Sequence, residues 1–259
     1  MEIYVVGGAV RDVLLNKTPK DIDYVVCDVT EDVMINLGYQ RVGADFPVFL
    51  HPESGDEYAI ARRERKVAGG YGGFEPDIND VTLEEDTARR DLTINTLAVR
   101  EQDWEQFIET KDVSLVIDHH NGVNDLINNI FRHVTEAFRE DPVRVLRLAR
   151  FRARLGDTWS IDERTLEFIE AIHREGELHN LTRERIWQEV SNAVMEPHAH
   201  LFVASLVEWD ILHTIFGSNG CNGPAADFTV EFEYERLKTA CTQEASLPVR
   251  LAMAGFNHE

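Results

Sequence analysis

The chain is poor in cysteine, in positive charge and in long apolar runs. Its three cysteines, Cys27, Cys221 and Cys241, lie far apart without metal-ligand spacing. That excludes a disulfide scaffold or a cysteine zinc site and fits free thiols in a reducing compartment. No apolar run could span a bilayer, and no charged-then-apolar leader precedes a small-residue cleavage position. A cytoplasmic protein with no membrane partner is therefore expected. Lysine and arginine number 26 against 47 aspartates and glutamates, a net charge of −21. A surface so acidic repels nucleic acid at long range and excludes tight nonspecific polyanion binding. No Ser-His-Asp or Cys-His arrangement stands out, and the sequence carries no signal for oligomeric state.

What positive charge there is gathers in two places. One is Arg62-Arg63-Glu64-Arg65-Lys66 and the other runs from Arg139 to Arg154. The 259 residues, 43% of them hydrophobic, suffice for two modest domains or one large one. Residues 2–6 and 21–26 read as strands and 9–15 as a short helix. A further helix spans 31–37, closed by Gly38 at the position past its end. Alternation over 46–51 and 57–62, with Pro52-Glu53-Ser54-Gly55 between, predicts a hairpin. Residues 64–80 lose all periodicity and read as a mobile loop. Thr82-Leu83-Glu84-Glu85 fits a capping box, opening a helix expected to run to Val99. Residues 106–109 and 115–118 read as short strands. From Asn124 the pattern turns helical, with helices at 162–174, 182–195, 198–208, 229–243 and 248–255 and a Gly/Asn-rich break at 217–224. The fold class read here is α+β, an α/β head followed by an all-α remainder.

Two aspartates carry the sharpest chemical signal. On a strand over 21–26, Asp21 and Asp23 point to the same face. Two hard oxygen ligands at one spot suit Mg²⁺. Tyr24-Val25-Val26 reads as buried, and acids on a buried strand need a reason such as a metal. Glu57 and Asp56, on the neighbouring hairpin, are weak candidates for a third carboxylate. The strand at 2–6 runs into Gly7-Gly8-Ala9-Val10-Arg11-Asp12. Here Gly8 and Arg11 could hold a triphosphate at a glycine turn. The alternative is an ordinary strand–helix turn with Arg11 and Asp12 merely exposed. The dinucleotide fingerprint is excluded, since its third glycine is missing.

Arg144, Arg147, Arg150 and Arg154 share one helical face, opposite Val145, Leu148 and Phe151. The stripe lacks the interleaved acids of an ordinary solvated face, and Arg89-Arg90 adds more cationic charge. Converging arginines suit phosphate or carboxylate recognition. Asp141 and Arg144 sit one turn apart. A carboxylate that accepts beside a guanidinium that donates matches the pairing edges of cytosine and adenine and rejects guanine and uracil. An i,i+3 ion pair at a helix start explains the same two residues equally well. His119-His120, His198 and His200 read as surface, and Trp187 and Trp209 as core.

Three ordered segments resemble one family. Gly7 to Leu15 followed by Asp21-Ile22-Asp23 is similar to the first signature of the CCA-adding enzymes, the class II, poly(A)-polymerase-like tRNA nucleotidyltransferases. Arg89-Arg90-Asp91-Leu92-Thr93-Ile94-Asn95 resembles the second. Glu140 to Phe151 resembles the segment that reads the incoming base, and Asp45 to Pro52 and Tyr71-Gly72-Gly73-Phe74 resemble the bacterial subgroup. The likeness covers roughly the first four-fifths of the chain.

The resemblance implies a polymerase-β-like nucleotidyltransferase head followed by an all-α neck and body. The expected divisions are 1–122 for the head, 123–217 for neck and body, and 218–259 for a shortened C-terminal segment. It implies addition of C and A from CTP and ATP to the tRNA 3′ end, with release of pyrophosphate. Asp21 and Asp23 are then catalytic, holding Mg²⁺. Gly8, Arg11, Arg90, Arg147 and Arg150 contact nucleotide, and Asp141 and Arg144 choose the base. Glu231 to Glu259 resembles only the beginning of an HD-type phosphohydrolase region, so no phosphatase or cyclic phosphodiesterase activity is expected. The rivals are a poly(A) polymerase, a partial enzyme adding only CC or only A, and a catalytically silent RNA-binding remnant.

Overall fold

A computed structural model describes residues 1–42, 48–66, 74–216 and 230–254. The expected loop's residues 67–73, the Asp45-Phe46-Pro47 part of the Asp45 to Pro52 motif and the 217–224 break lie outside the described residues. Packing divides the chain into two units, Met1–Glu140 and Asp141–Glu259. Among the described residues the first is α+β and the second all-α apart from a two-residue extended segment, Ser160–Ile161.

The first unit is built on a seven-stranded sheet among the described residues. Its strands are β1 (Glu2–Val6), β2 (Asp23–Cys27), β3 (Gln40–Val42), β4 (Val48–Leu50) and β5 (Glu57–Ile60), then β8 (Ala98–Arg100) and β9 (Val116–Ile117). A separate hairpin joins β6 (Arg63–Lys66) to β7 (Phe74–Asp77). The order is β3-β4-β5-β2-β1-β8-β9. The β2–β5 pair is parallel; the other pairs are antiparallel. Alternation splits the core between the two faces. Tyr4, Val6, Val25, Cys27 and Ala98 pack with Leu83 on one face. Val26, Phe49, Tyr58 and Ile60 pack with Met34 on the other. Asp23, two residues before Val25, belongs to the Leu83 side. Burial pushes the Cys27 thiol up to about 12, so it is an inert core residue.

The helices of this unit are α1 (Gly8–Leu14), α2 (Glu31–Asn36), α3 (Leu83–Ala88), α4 (Trp104–Thr110) and α5 (Gly122–Ile127). The capping box at Thr82 and Glu85 forms. The helix it opens stops at Ala88 rather than near Val99. Asp91 Oδ1 takes the Leu92 N–H at 2.8 Å, and the Thr93 N–H goes to the Arg132 carbonyl at 2.9 Å. Those bonds draw the backbone out of the helix. Residues 106–109 lie in α4 rather than a strand, with Trp104 and Phe107 buried as a helical pair. The 64–80 stretch is not wholly loop, since it contains most of β6 and all of β7.

Residues 122–140 pack within the first unit, for a local reason. A Cβ on Gly122 would lie 2.2 Å from the Thr93 carbonyl oxygen, so α5 packs backbone to backbone on residues 93–95. Fully buried Asp125 then accepts from Thr93 Oγ1 at 2.7 Å and from Arg132 Nε at 3.1 Å.

The second unit holds α6 (Val143–Leu155), α7 (Glu163–Arg174), α8 (Arg183–Val194), α9 (His200–Glu208), α10 (Leu212–Phe216), α11 (Val230–Thr242) and α12 (Leu247–Met253). α6 packs against α8 and α9, and buries Val145, Leu148 and Phe151 as expected. Trp187, expected in the core, is 42% exposed. The buried residues of α8, Glu189, Val190, Ala193 and Val194, all follow it, so the packed part of the helix begins after Trp187. His200, expected outside, is buried. Among the described residues no helix is long and apolar enough to cross a membrane.

Candidate active site

The candidate residues fall into two groups, one in each unit. The first forms around the Gly7 turn. Gly7 has φ +72°, a conformation that disfavours side chains, and its N–H donates to the Leu97 carbonyl at 2.8 Å. Strand register sets Val6 opposite Asp23, so the turn and the aspartate lie side by side. A Cβ on Gly7 would lie 2.7 Å from Arg90 Nη1, which places that guanidinium directly against the turn. The same nitrogen donates weakly to the Asn95 carbonyl at 3.4 Å. Burial opposes the Arg90 charge, while Asp86 and Asp23 favour it.

Arg11 is not the exposed residue of an ordinary turn. It is 2% exposed. Its Nε and Nη2 donate to Asp12 Oδ1 at 2.9 and 2.8 Å, and its Nη1 donates to Asn95 Oδ1 at 2.5 Å. Asn95 Nδ2 in turn donates to Asp91 Oδ1 at 2.9 Å. The Arg11 guanidinium lies beneath Gly8, with Nη2 3.7 Å from where a Gly8 Cβ would be. Asp12, Asp91 and Asn95 thus belong to the floor of the turn. Their signal was present in the sequence, but nothing in the spacing linked residues so far apart.

Asp23 opens β2, whereas Asp21, expected inside the same strand, lies before it, so strand alternation does not set the two side chains on one face. Both are exposed, and neither forms a hydrogen bond or ion pair among the described residues. No group of three or more His, Cys, Asp or Glu that could hold a metal occurs among the described residues, so Glu57 and Asp56 complete no such set. Asp23, unengaged beside the Gly7 turn, fits Mg²⁺, which keeps waters and takes substrate phosphate oxygens among its ligands.

The second group lies on α6 and α8. The arginine stripe has an acidic partner after all, supplied by α8 instead of by α6 itself, and an α9 acid serves Arg152 beside it. Buried Glu189 accepts from Arg150 Nε at 2.6 Å and pairs with Arg147 Nη1 at 3.7 Å. Arg152 pairs with Glu208 at 2.5 Å. Asp141 Oδ2 accepts from Arg185 Nη2 at 2.6 Å, and its Oδ1 takes the Val143 N–H at 3.2 Å. Arg185 and Glu189 are one helical turn apart, so a single face of α8 fixes both Asp141 and the arginines beyond it. Sequence reading missed Arg185 and Glu189 because their partners lie on a different helix.

Residues 3–132 match the model of the "Poly A polymerase head domain". Residues 159–218 match that of the "Probable RNA and SrmB- binding site of polymerase A". The chain is 48% identical over 220 residues to the "Multifunctional CCA protein" of Pasteurella multocida (strain Pm70), covering 83% of this chain and 49% of that protein. It is 47% identical over 223 residues to the "CCA-adding enzyme" of Francisella tularensis subsp. novicida (strain U112), covering 85% and 57%. The chain therefore spans about half the length of the curated relatives it matches. A solved Thermotoga maritima CCA-adding enzyme complexed with tRNA_CCA superposes with TM-score 0.69 at 26% identity, over 97% of this chain and 57% of that one. An apo CCA-adding enzyme superposes at 0.72 and 26% identity, covering 100% and 61%.

Proposed function

The chain belongs to the poly(A) polymerase head-domain family, that of the CCA-adding enzymes with a polymerase-β-like head, and from this premise we propose that it transfers C and A from CTP and ATP to the tRNA 3′ end and releases pyrophosphate. The observation that carries the reading is the convergence of Asp23 and Arg90 on the Gly7 turn. An acid for a metal and a cation for phosphate meet where the backbone bears no side chain.

In this reading Asp21 and Asp23 would hold Mg²⁺, which neutralises the triphosphate and lowers the pKa of the attacking 3′ hydroxyl. Gly8 and the turn leave room for phosphate oxygens. Arg90 supplies charge at the phosphates, and Arg11, neutralised by Asp12, supports the turn from below. Arg147 and Arg150 contribute nucleotide contacts while Glu189 holds their orientation. Asp141 and Arg144 read the base. Arg185 and the Val143 N–H fix the Asp141 carboxylate, which keeps further lone pairs for an exocyclic amine. The proposed division of labour is a head over 1–122, a neck and body over 123–217 and a C-terminal segment from 218. Action on tRNA supports a cytoplasmic location.

The test is incorporation into tRNA lacking its 3′ end, with Mg²⁺ and each labelled nucleotide supplied singly and then in pairs. C followed by A supports the proposal. Long tails from ATP alone identify a poly(A) polymerase, and CC or A alone a partial enzyme. No incorporation with retained tRNA binding identifies a silent RNA-binding protein.

A further inference from the structure

Asp86 has no part in the chemistry above, yet it is completely buried at the base of the Gly7 turn's cationic wall. Its Oδ1 accepts the Arg62 N–H at 3.1 Å and Arg89 Nη2 at 2.7 Å. Arg89 Nε then donates to the Arg62 carbonyl at 3.1 Å. One carboxylate oxygen and one guanidinium thus tie α3 to the residue that leads into β6. The other oxygen, Oδ2, is buried, has no hydrogen-bond partner among the described residues, and faces Arg90 Nη2 across 3.7 Å. Arg90 Nε is likewise buried without a hydrogen-bond partner among the described residues. Arg90 is therefore held by weak contacts on both sides, Asp86 behind and the Asn95 carbonyl ahead at 3.4 Å.

We propose that Asp86 is a positioning residue that acts through Arg90, holding its guanidinium against the Gly7 turn in the orientation that receives a triphosphate. The proposal rests on the functional reading above for the identity of that anion. A buried carboxylate near an anion site repels the anion, so its presence there needs a compensating role. Fixing a guanidinium in one rotamer is such a role, because an arginine otherwise loses much side-chain entropy on binding.

This gives the test a sign. If Asp86 were only a nearby charge, Asp86→Asn would tighten anion binding. If it positions Arg90, the same change weakens binding. Inorganic tripolyphosphate is titrated calorimetrically into the full chain and into Asp86→Asn, Asp86→Glu, Arg90→Ala and Asp86→Asn/Arg90→Ala, with circular dichroism to confirm folding. The expected result is about tenfold weaker binding for Asp86→Asn, partial recovery in Asp86→Glu, and no further loss on adding Asp86→Asn to Arg90→Ala. Unchanged or tighter binding in Asp86→Asn overturns the proposal, as does a fully additive loss in the double variant. Should Asp86→Asn not fold, recovery of binding in a folded Asp86→Glu supports the proposal and binding as weak as in Arg90→Ala overturns it. A full chain that binds no tripolyphosphate also overturns it. A full chain that binds tripolyphosphate through the coupled pair but incorporates no nucleotide leaves this proposal standing and removes the proposed function instead.

Discussion

Gly7 and Arg90 compete for one volume. A Cβ at residue 7 would lie 2.7 Å from Arg90 Nη1 and 3.2 Å from the Asn95 carbonyl oxygen, on a backbone with φ +72°. The guanidinium is the movable end of a flexible side chain, so it gives way. The backbone strain of about 1–2 kcal/mol does not. Gly7→Ala should therefore lower stability modestly and lower nucleotide addition much more, by about 10²-fold, because the displaced group is the one proposed to meet phosphate. Urea unfolding and single-nucleotide incorporation on the same preparation separate the two effects. Equal, small losses in both would mean that Arg90 does not face the substrate.

Asp21 and Asp23 are exposed and form no internal bonds among the described residues, so removing them should leave the fold intact. Asp21→Ala and Asp23→Ala are each expected to keep the wild-type melting temperature and tRNA binding while incorporation falls by about 10³-fold or more. Chelation of divalent cations should abolish activity in the wild type and Mg²⁺ should restore it. Activity equal to wild type in either variant would refute its metal role.

The head was legible where local chemistry decides structure. The capping box at Thr82 and the hairpin of β4 and β5 follow from a few neighbouring residues. Errors arose where distant residues override a local pattern. The expected helix over 82–99 breaks because the Thr93 N–H goes to the Arg132 carbonyl, far outside any local sequence window. The arginine stripe looked unpaired because Glu189 lies on another helix. Arg11 reads equally as a triphosphate contact or as an exposed turn residue, because Asn95, its buried partner, is 84 residues away. Residue types thus announced the chemistry of the turn, while the residues bracing it became visible only in the fold.

Glu189 and Arg185 should separate into stability and selectivity. Glu189 is buried and carries two arginines. Glu189→Ala leaves their charges without a partner and should cost about 3 kcal/mol of stability. Arg185 is substantially exposed, with 45% of its side chain accessible, so its ion pair adds little to stability. Its importance lies in fixing Asp141. Arg185→Ala is expected to melt near wild type yet to misincorporate G and U more often, as read by sequencing tRNA 3′ ends. Unaltered base choice would show that Asp141 needs no such support.

His120 makes the first unit sensitive to mild acid. It lies 3.0 Å from the Thr87 hydroxyl, between α3 and α5 in sequence, and burial holds its pKa below the ordinary 6.5 despite the Glu84 carbonyl. The fold favours the neutral ring, so the unfolded chain binds more protons as pH falls through about 6.5. Stability should be full above that value and decline below it, down through the lowered pKa of the folded state. His200 in the second unit is shifted the same way, by burial first and then by His198 and Lys238. Depressed carboxylates such as Asp77 and Glu85 act in the same sense, but below their ordinary 3.8 and 4.5. Urea midpoints at pH 7, 6 and 5 should fall less steeply in His120→Gln and in His200→Gln than in wild type, and least in the double variant. Parallel pH profiles in all four proteins would show that neither imidazole is held neutral by the fold.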